Sequence, residues 1–232
     1  MSTRSAAPAR AVGGPNPGIL GVVSLGLLIG SLVSMAVLSG GHTITSPFGD
    51  TDSVTAIFAE DWFAVRFASM LLLGSSIPLG IYAAAVYSRQ QRLGIRVPGP
   101  TIGLVGGIIA AILLAVSAIV TWTQSQSVVS ADPALTHALS YLGFAAGGFG
   151  HVLGLGLLVA GIAVPALLLR LMPAAVAWVG LVIAALAELS FLTMVIEPLQ
   201  FLIPVGRFGS LIWLVVAGFL LPKTRHQQGE RA

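Results

Sequence analysis

Arg66, His151, Glu188 and Arg207 are ionisable side chains set inside long apolar runs of this sequence. A charge at membrane depth is costly unless paired or hydrated, so each such residue is a functional hypothesis by its position alone. Glu188 is flanked by Ala184, Ala185, Ala187 and Ser190, Arg66 by Ala64, Ala68 and Ser69, and Arg207 by Gly206, Gly209 and Ser210. Small residues mark helix faces that pack on other helices, which turns all three charges inward. The expectation is an Arg66–Glu188–Arg207 cluster in the outer leaflet, with Glu60, Asp61 and Glu197 at its rim. Such a cluster either fixes helix register as a buried ion-pair network or forms a pocket. Its excess of guanidinium over carboxylate would favour an anionic guest such as a carboxylate, a phosphate or a lipid headgroup.

His151 stands in GGFGHVLGLG, residues 147–156, among glycines that leave room beside the ring for a partner helix or a flat cofactor. On a helix entering from the outer side at 138, it lies about 20 Å deep. His137, fourteen residues earlier, falls on roughly the same helical face. That spacing resembles the paired haem ligands on one helix of b-type membrane cytochromes. A bis-histidine haem b also needs facing histidines on a second span, and His42 and His226 lie in a loop and a tail. A neutral histidine bonded across helices is the expected state.

The elements that must carry these groups follow from composition. Of 232 residues, 56% are hydrophobic and 8% charged, against roughly a quarter charged in soluble domains. Several runs exceed the roughly 20 residues needed to cross about 30 Å of hydrocarbon. The predicted fold is all-α: a polytopic integral membrane protein with six transmembrane helices at 18–39, 62–88, 101–122, 138–170, 172–194 and 199–221. RVPGP at 96–100, ADP at 131–133, MP at 172–173 and EP at 197–198 supply the breaks, with Asp132–Pro133 reading as a cap and first turn. The helical domain spans 18–222 between a disordered tail at 1–17 and a second tail at 223–232.

Of the 11 Lys and Arg, all but Arg66 and Arg207 fall on one side of this arrangement, whereas the opposite loops hold Asp50, Asp52, Glu60, Asp61, Asp132 and Glu197. By the positive-inside rule both termini are cytoplasmic. The same rule accounts for the formal charge of +3, so nucleic acid is not an expected partner. The absence of cysteine removes disulfides, CxxC redox chemistry and cysteine-ligated zinc.

GxxxG steps at Gly26/Gly30, Gly143/Gly147 and Gly150/Gly154 predict close helix packing, either within the bundle or between copies in a homo-oligomer. Pro78 and Pro165 should kink their helices and release the carbonyls of Gly74 and Gly161. From about 140 to 222, GLGLLVAGIAVPALLLRLMPAAVAWVGLV and PVGRFGSLIWLVVAG resemble a family of bacterial six-helix membrane proteins known only as a domain of unknown function. The resemblance implies the six-helix topology and a multi-pass place in the bacterial inner membrane, and supplies no activity. That family often carries an acid where Arg207 stands here.

HExxH, Walker A and Rossmann glycine patterns are absent, no lysine sits in a span, and GSS at 74–76 with His151 does not resemble a rhomboid protease. Nothing catalytic is indicated. The expected function is an outward-facing polar pocket between the second, fourth, fifth and sixth helices that binds or moves a small or amphiphilic molecule, with Arg66, His151, Glu188 and Arg207 as its ligand-binding residues. The alternatives are a structural membrane subunit acting through partner helices and a haem- or quinone-linked redox subunit.

Overall fold

The computed structural model describes residues 14–44 and 46–222, and Arg4, Arg10, Lys223, Arg225 and Arg231 lie outside them. Among the described residues the secondary structure is helical throughout. The long elements are α1 (Pro17–Leu38), α3 (Trp62–Arg92), α4 (Gly99–Gln124), α6 (Pro133–Ala145) running through a π turn (Ala146–Gly150) into α7 (His151–Leu168), α8 (Ala174–Leu189) and α9 (Leu202–Leu220). With the turns that extend them, these make six helices long and apolar enough to cross a membrane. Shorter pieces are α2 (Thr51–Glu60), α5 (Ser127–Ser130) and two 3-10 turns, Ser190–Met194 and Glu197–Phe201.

The fourth span starts at Pro133 rather than 138 because Asp132 accepts a hydrogen bond from the Leu135 N–H at 3.1 Å and Pro133 occupies the first turn. Asn16 and Pro17 start α1 the same way. The helices form a ring in the order α1, α3, α4, α7, α8, α9, with α7 also reaching α9 across the middle. The central core is built from Leu79, Tyr82, Leu155, Leu158, Val159, Ile162 and Leu214. Ile29, Val33, Ile77, Ile112, Val182 and Ile212 face outward. Closed hydrogen-bonded helices with an apolar exterior are what hydrocarbon requires, and they mark the chain as a multi-pass membrane protein. One end of the bundle carries Asp50, Asp52, Glu60, Asp61, Asp132 and Glu197, and the other carries Arg92, Arg96 and Arg170. We call these the acidic and basic ends.

Glycine sets the spacing of α4 and α7. Gly147, Gly150 and Gly154 pack on Ser117, Leu113 and Ala110 of α4, so the room beside His151 is filled by that helix. Gly143 touches Val120 more loosely. A Cβ on Gly26 would meet nothing within 4 Å, whereas one on Gly30 would touch Leu71 of α3 at 3.7 Å, so only the Gly26 end of the Gly26/Gly30 step stays open to a partner. On α1 the close approaches to α9 are instead at Gly18 and Gly21.

The released carbonyls differ. Ser75 bonds Ser24 of α1 and Ser76 bonds Leu73, so neither serves Gly74. The Gly161 carbonyl, freed by Pro165, accepts from the Gln90 side-chain amide at 3.2 Å. Gln90→Leu should therefore strand a buried carbonyl at a cost of about 1–3 kcal/mol. Pro165→Ala restores an N–H four residues on and should cancel most of that loss. Thermal melts of the two single variants and the double variant check this, and additive effects would refute it. At the same end Arg89, 6% exposed, donates to the carbonyls of Gly218 and Leu221 at 3.3 Å. A cation there complements the C-terminal dipole of α9.

Candidate functional site

A cavity of about 400 Å³ reaches the acidic end between α3, α4, α6 and α9, with Arg207 in its wall. The third span contributes a wall where the sequence reading expected the fifth. Ser117, Thr121 and Gln124 occupy one face of α4, and Ser140, Gly143 and Gly147 face them from α6 and the π turn. Spacings of three and four residues keep each set on one helical face. The hydroxyls are anchored by donating to backbone: Ser117 to Gly143 at 2.9 Å, Thr121 to Ser117 at 2.9 Å and Ser140 to Thr136 at 3.1 Å. Gln124 donates to the Thr136 carbonyl and the Ser140 hydroxyl at 2.9 and 2.7 Å. Phe58, Leu72, Leu114, Phe144 and Ile203 supply the apolar part of the wall.

Residues 46–61, part of the outer loop expected at 40–61, fold over this cavity. Their helix α2 buries Val54, Ile57 and Phe58. His137 pins the segment: Thr51 donates to its Nδ1 at 2.9 Å, and its Nε2–H donates to the Pro47 carbonyl at 2.7 Å. Its ring stacks on Tyr141, with centroids 5.3 Å apart. Phe48 makes edge contacts with both Tyr141 and Phe144. His42 pairs with Asp61 at 3.0 Å beside α2.

No two of the four predicted ligand-binding residues share a hydrogen bond or an ion pair among the described residues, although His151 and Arg207 lie within electrostatic reach of each other. Arg207 alone lines the cavity. Its guanidinium donates to the Gly147 carbonyl, its Nε is buried without a hydrogen bond, and it has no carboxylate partner among the described residues. Arg66 is held at the acidic end of α4 by Ser125 and Gln126, outside the cavity. Glu188 faces α7, close enough that a Cβ on Gly156 would lie 2.6 Å from its Oε1. That oxygen is buried and unbonded, and Glu188 forms no ion pair among the described residues. The Arg66–Glu188–Arg207 cluster is therefore corrected: small neighbours turned Arg207 and Glu188 toward the same fourth span, but at different levels, Gly147 and Gly156, and without an ion pair among the described residues.

His151 is 0% exposed. Its Nδ1–H donates to the Ala110 carbonyl of α4 at 2.8 Å, and Nε2 is buried without a partner. It does not share a face with His137, because the π turn, with Gly148 at ψ −111°, breaks the helical register between them. The residues missed in the sequence, Ser117, Thr121, Gln124 and Ser140, left a readable signal: polar side chains at helical spacing inside spans that are otherwise apolar. No family model matches this chain, and neither a curated protein nor a solved structure matches it.

Proposed function

We propose that the protein binds, and in the membrane receives or moves, a small anionic amphiphile through the cavity at its acidic end. The observation that carries this is Arg207, a guanidinium without a carboxylate partner among the described residues, in the wall of a cavity of about 400 Å³. A fixed cation in the wall of a recess flanked by low-dielectric helices attracts an anion more strongly than a cation on an open surface. One guanidinium favours a single charge, and Phe58, Leu72 and Phe144 favour an apolar body. The volume falls within the roughly 300–1,000 Å³ usual for small-molecule sites. The charge segregation supports an orientation in which this end faces outward and both termini are cytoplasmic. The inner membrane of a bacterium is the setting that the resemblance of residues 140–222 implies.

A thermal-shift series in detergent tests the reading. Aliphatic carboxylates of increasing length should raise the melting temperature with an optimum chain length, since a cavity of fixed size rejects longer tails. At 100-fold excess over Kd the stabilisation is about 2.7 kcal/mol. Alcohols of equal length should give little. Equal shifts from acid and alcohol, or none from any anion, would sink the proposal.

A further inference from the structure

We infer that Arg66 and the groove beside it form a binding site for one anionic phospholipid, separate from the Arg207 cavity. Arg66 sits one turn into α3. Its Nε donates to the Ser125 hydroxyl at 3.1 Å, and its Nη2 donates to the Ser125 carbonyl and Gln126 Oε1 at 3.0 and 3.1 Å. The guanidinium carbon lies 4.8 Å from the centroid of the Trp62 ring. Every one of these partners is neutral, and Arg66 forms no ion pair among the described residues. The side chain is thus fixed in place with its charge unneutralised and its Nη1 unused.

From Arg66 a groove of about 520 Å³ runs between α3 and α4, lined by Ser69, Met70, Leu73, Ala118, Ile119 and Trp122. None of these residues lines the Arg207 cavity. Met70, Leu73, Ile119 and Trp122 are exposed on the outer face of the bundle, where hydrocarbon is the solvent. Leu73 lies two turns below Arg66, about 10 Å toward the membrane centre. Trp62 and Trp122 flank the charged end, the level at which indole rings meet lipid headgroups. A phosphodiester on Nη1 with an acyl chain along Met70, Leu73 and Ile119 matches both halves of this surface. A free anion would use only the first half.

Native mass spectrometry of the full-length protein in detergent, with phosphatidylglycerol or phosphatidylcholine of identical chains, tests the site. One cation at the headgroup level is worth about 1 kcal/mol, so phosphatidylglycerol should bind about 5-fold more tightly. Arg66→Gln should level the two lipids, and equal wild-type affinities or an unchanged preference in that variant overturns the proposal. Ile119→Trp fills the groove without touching an Arg66 contact, which keeps the test open if Arg66→Gln folds poorly. It should displace the bound lipid, and a retained phosphatidylglycerol adduct counts against the site. Glycerol phosphate, which has no chains, should not compete; if it does, the groove has no part in binding and the proposal fails.

Discussion

Arg207→Gln is expected to lower the affinity for an anionic amphiphile by at least about 30-fold while leaving the weak binding of a neutral analogue unchanged. The magnitude follows from what is removed. Truncating one partner of a buried, hydrogen-bonded charge pair costs about 2–5 kcal/mol, because the remaining charge loses its counterion inside a recess that water solvates poorly. Among the described residues Arg207 is the one charged residue lining the cavity, so no neighbouring cation there can take over. Arg207→Lys should lose about 10-fold, since an ammonium keeps the charge and gives up the planar fork. The alcohol serves as the internal control, as it never used the charge. Equal carboxylate affinity in wild type and Arg207→Gln, measured by titration on protein that elutes as a single peak, would remove Arg207 from the site.

The six spans and the segregation of charge were legible because a bilayer imposes length and apolarity on every crossing helix, and both are read directly from the sequence. Helix α2 was not. It is ten residues long and half polar, too short for a window matched to membrane thickness, and its role as a cover over the cavity depends on Phe58 packing with Met35 of α1 and with Ala64, Val65 and Ala68 of α3. The partner of Arg66 was equally hidden. Ser125 and Gln126 lie in an unremarkable polar turn, and only the folded distance makes them the acceptors for a guanidinium from 59 residues earlier. Arg89 shows the opposite failure: counted with the loop charges that set orientation, it is buried against the end of α9.

Arg207 was identified correctly as inward-facing, and its surroundings were not. Small neighbours say that a helix face is packed, without naming the helix packed against it. For both it is the fourth span, met by Glu188 at Gly156 and by Arg207 nine residues earlier at Gly147 of the π turn. The π turn itself has a composition, AGGFG, that permits it without requiring it. It breaks the helical register between His137 and His151, so a helical wheel drawn through both rings misplaces one of them.

Gly161→Val and Gly154→Val should each prevent formation of a stable bundle, whereas Gly26→Val should be tolerated. The distinction rests on what an added Cβ meets. At Gly161 it would lie 2.5 Å from the Gly103 Cα and 2.6 Å from the Gly99 carbonyl oxygen. At Gly154 it would lie 2.5 Å from the Ala110 nitrogen and 2.7 Å from the Gly106 carbonyl oxygen. These are backbone atoms of α4, so no rotamer change relieves the clash and the two helices must separate. Separation forfeits contact along the whole seam, and without a hydrophobic effect in lipid that close contact is the main attraction between spans. Overpacking in well-packed cores costs about 1–3 kcal/mol and occasionally more; two rigid backbones place valine at or above the top of that range. At Gly26 nothing lies within 4 Å, and the new side chain would meet lipid or a partner helix. Detergent-solubilised yield and the monodisperse fraction on size exclusion read the outcome, and a Gly161→Val protein as stable as Gly26→Val would show that α4 and α7 are not packed backbone to backbone. The same seam positions the cavity, since α4 carries Ser117, Thr121 and Gln124 and is tied to α7 through His151 and the Ala110 carbonyl. Gly154→Ala brings the same Cβ against the Ala110 nitrogen without the branching methyls of valine, so the protein that folds should bind the anion more weakly even though residue 154 does not line the site.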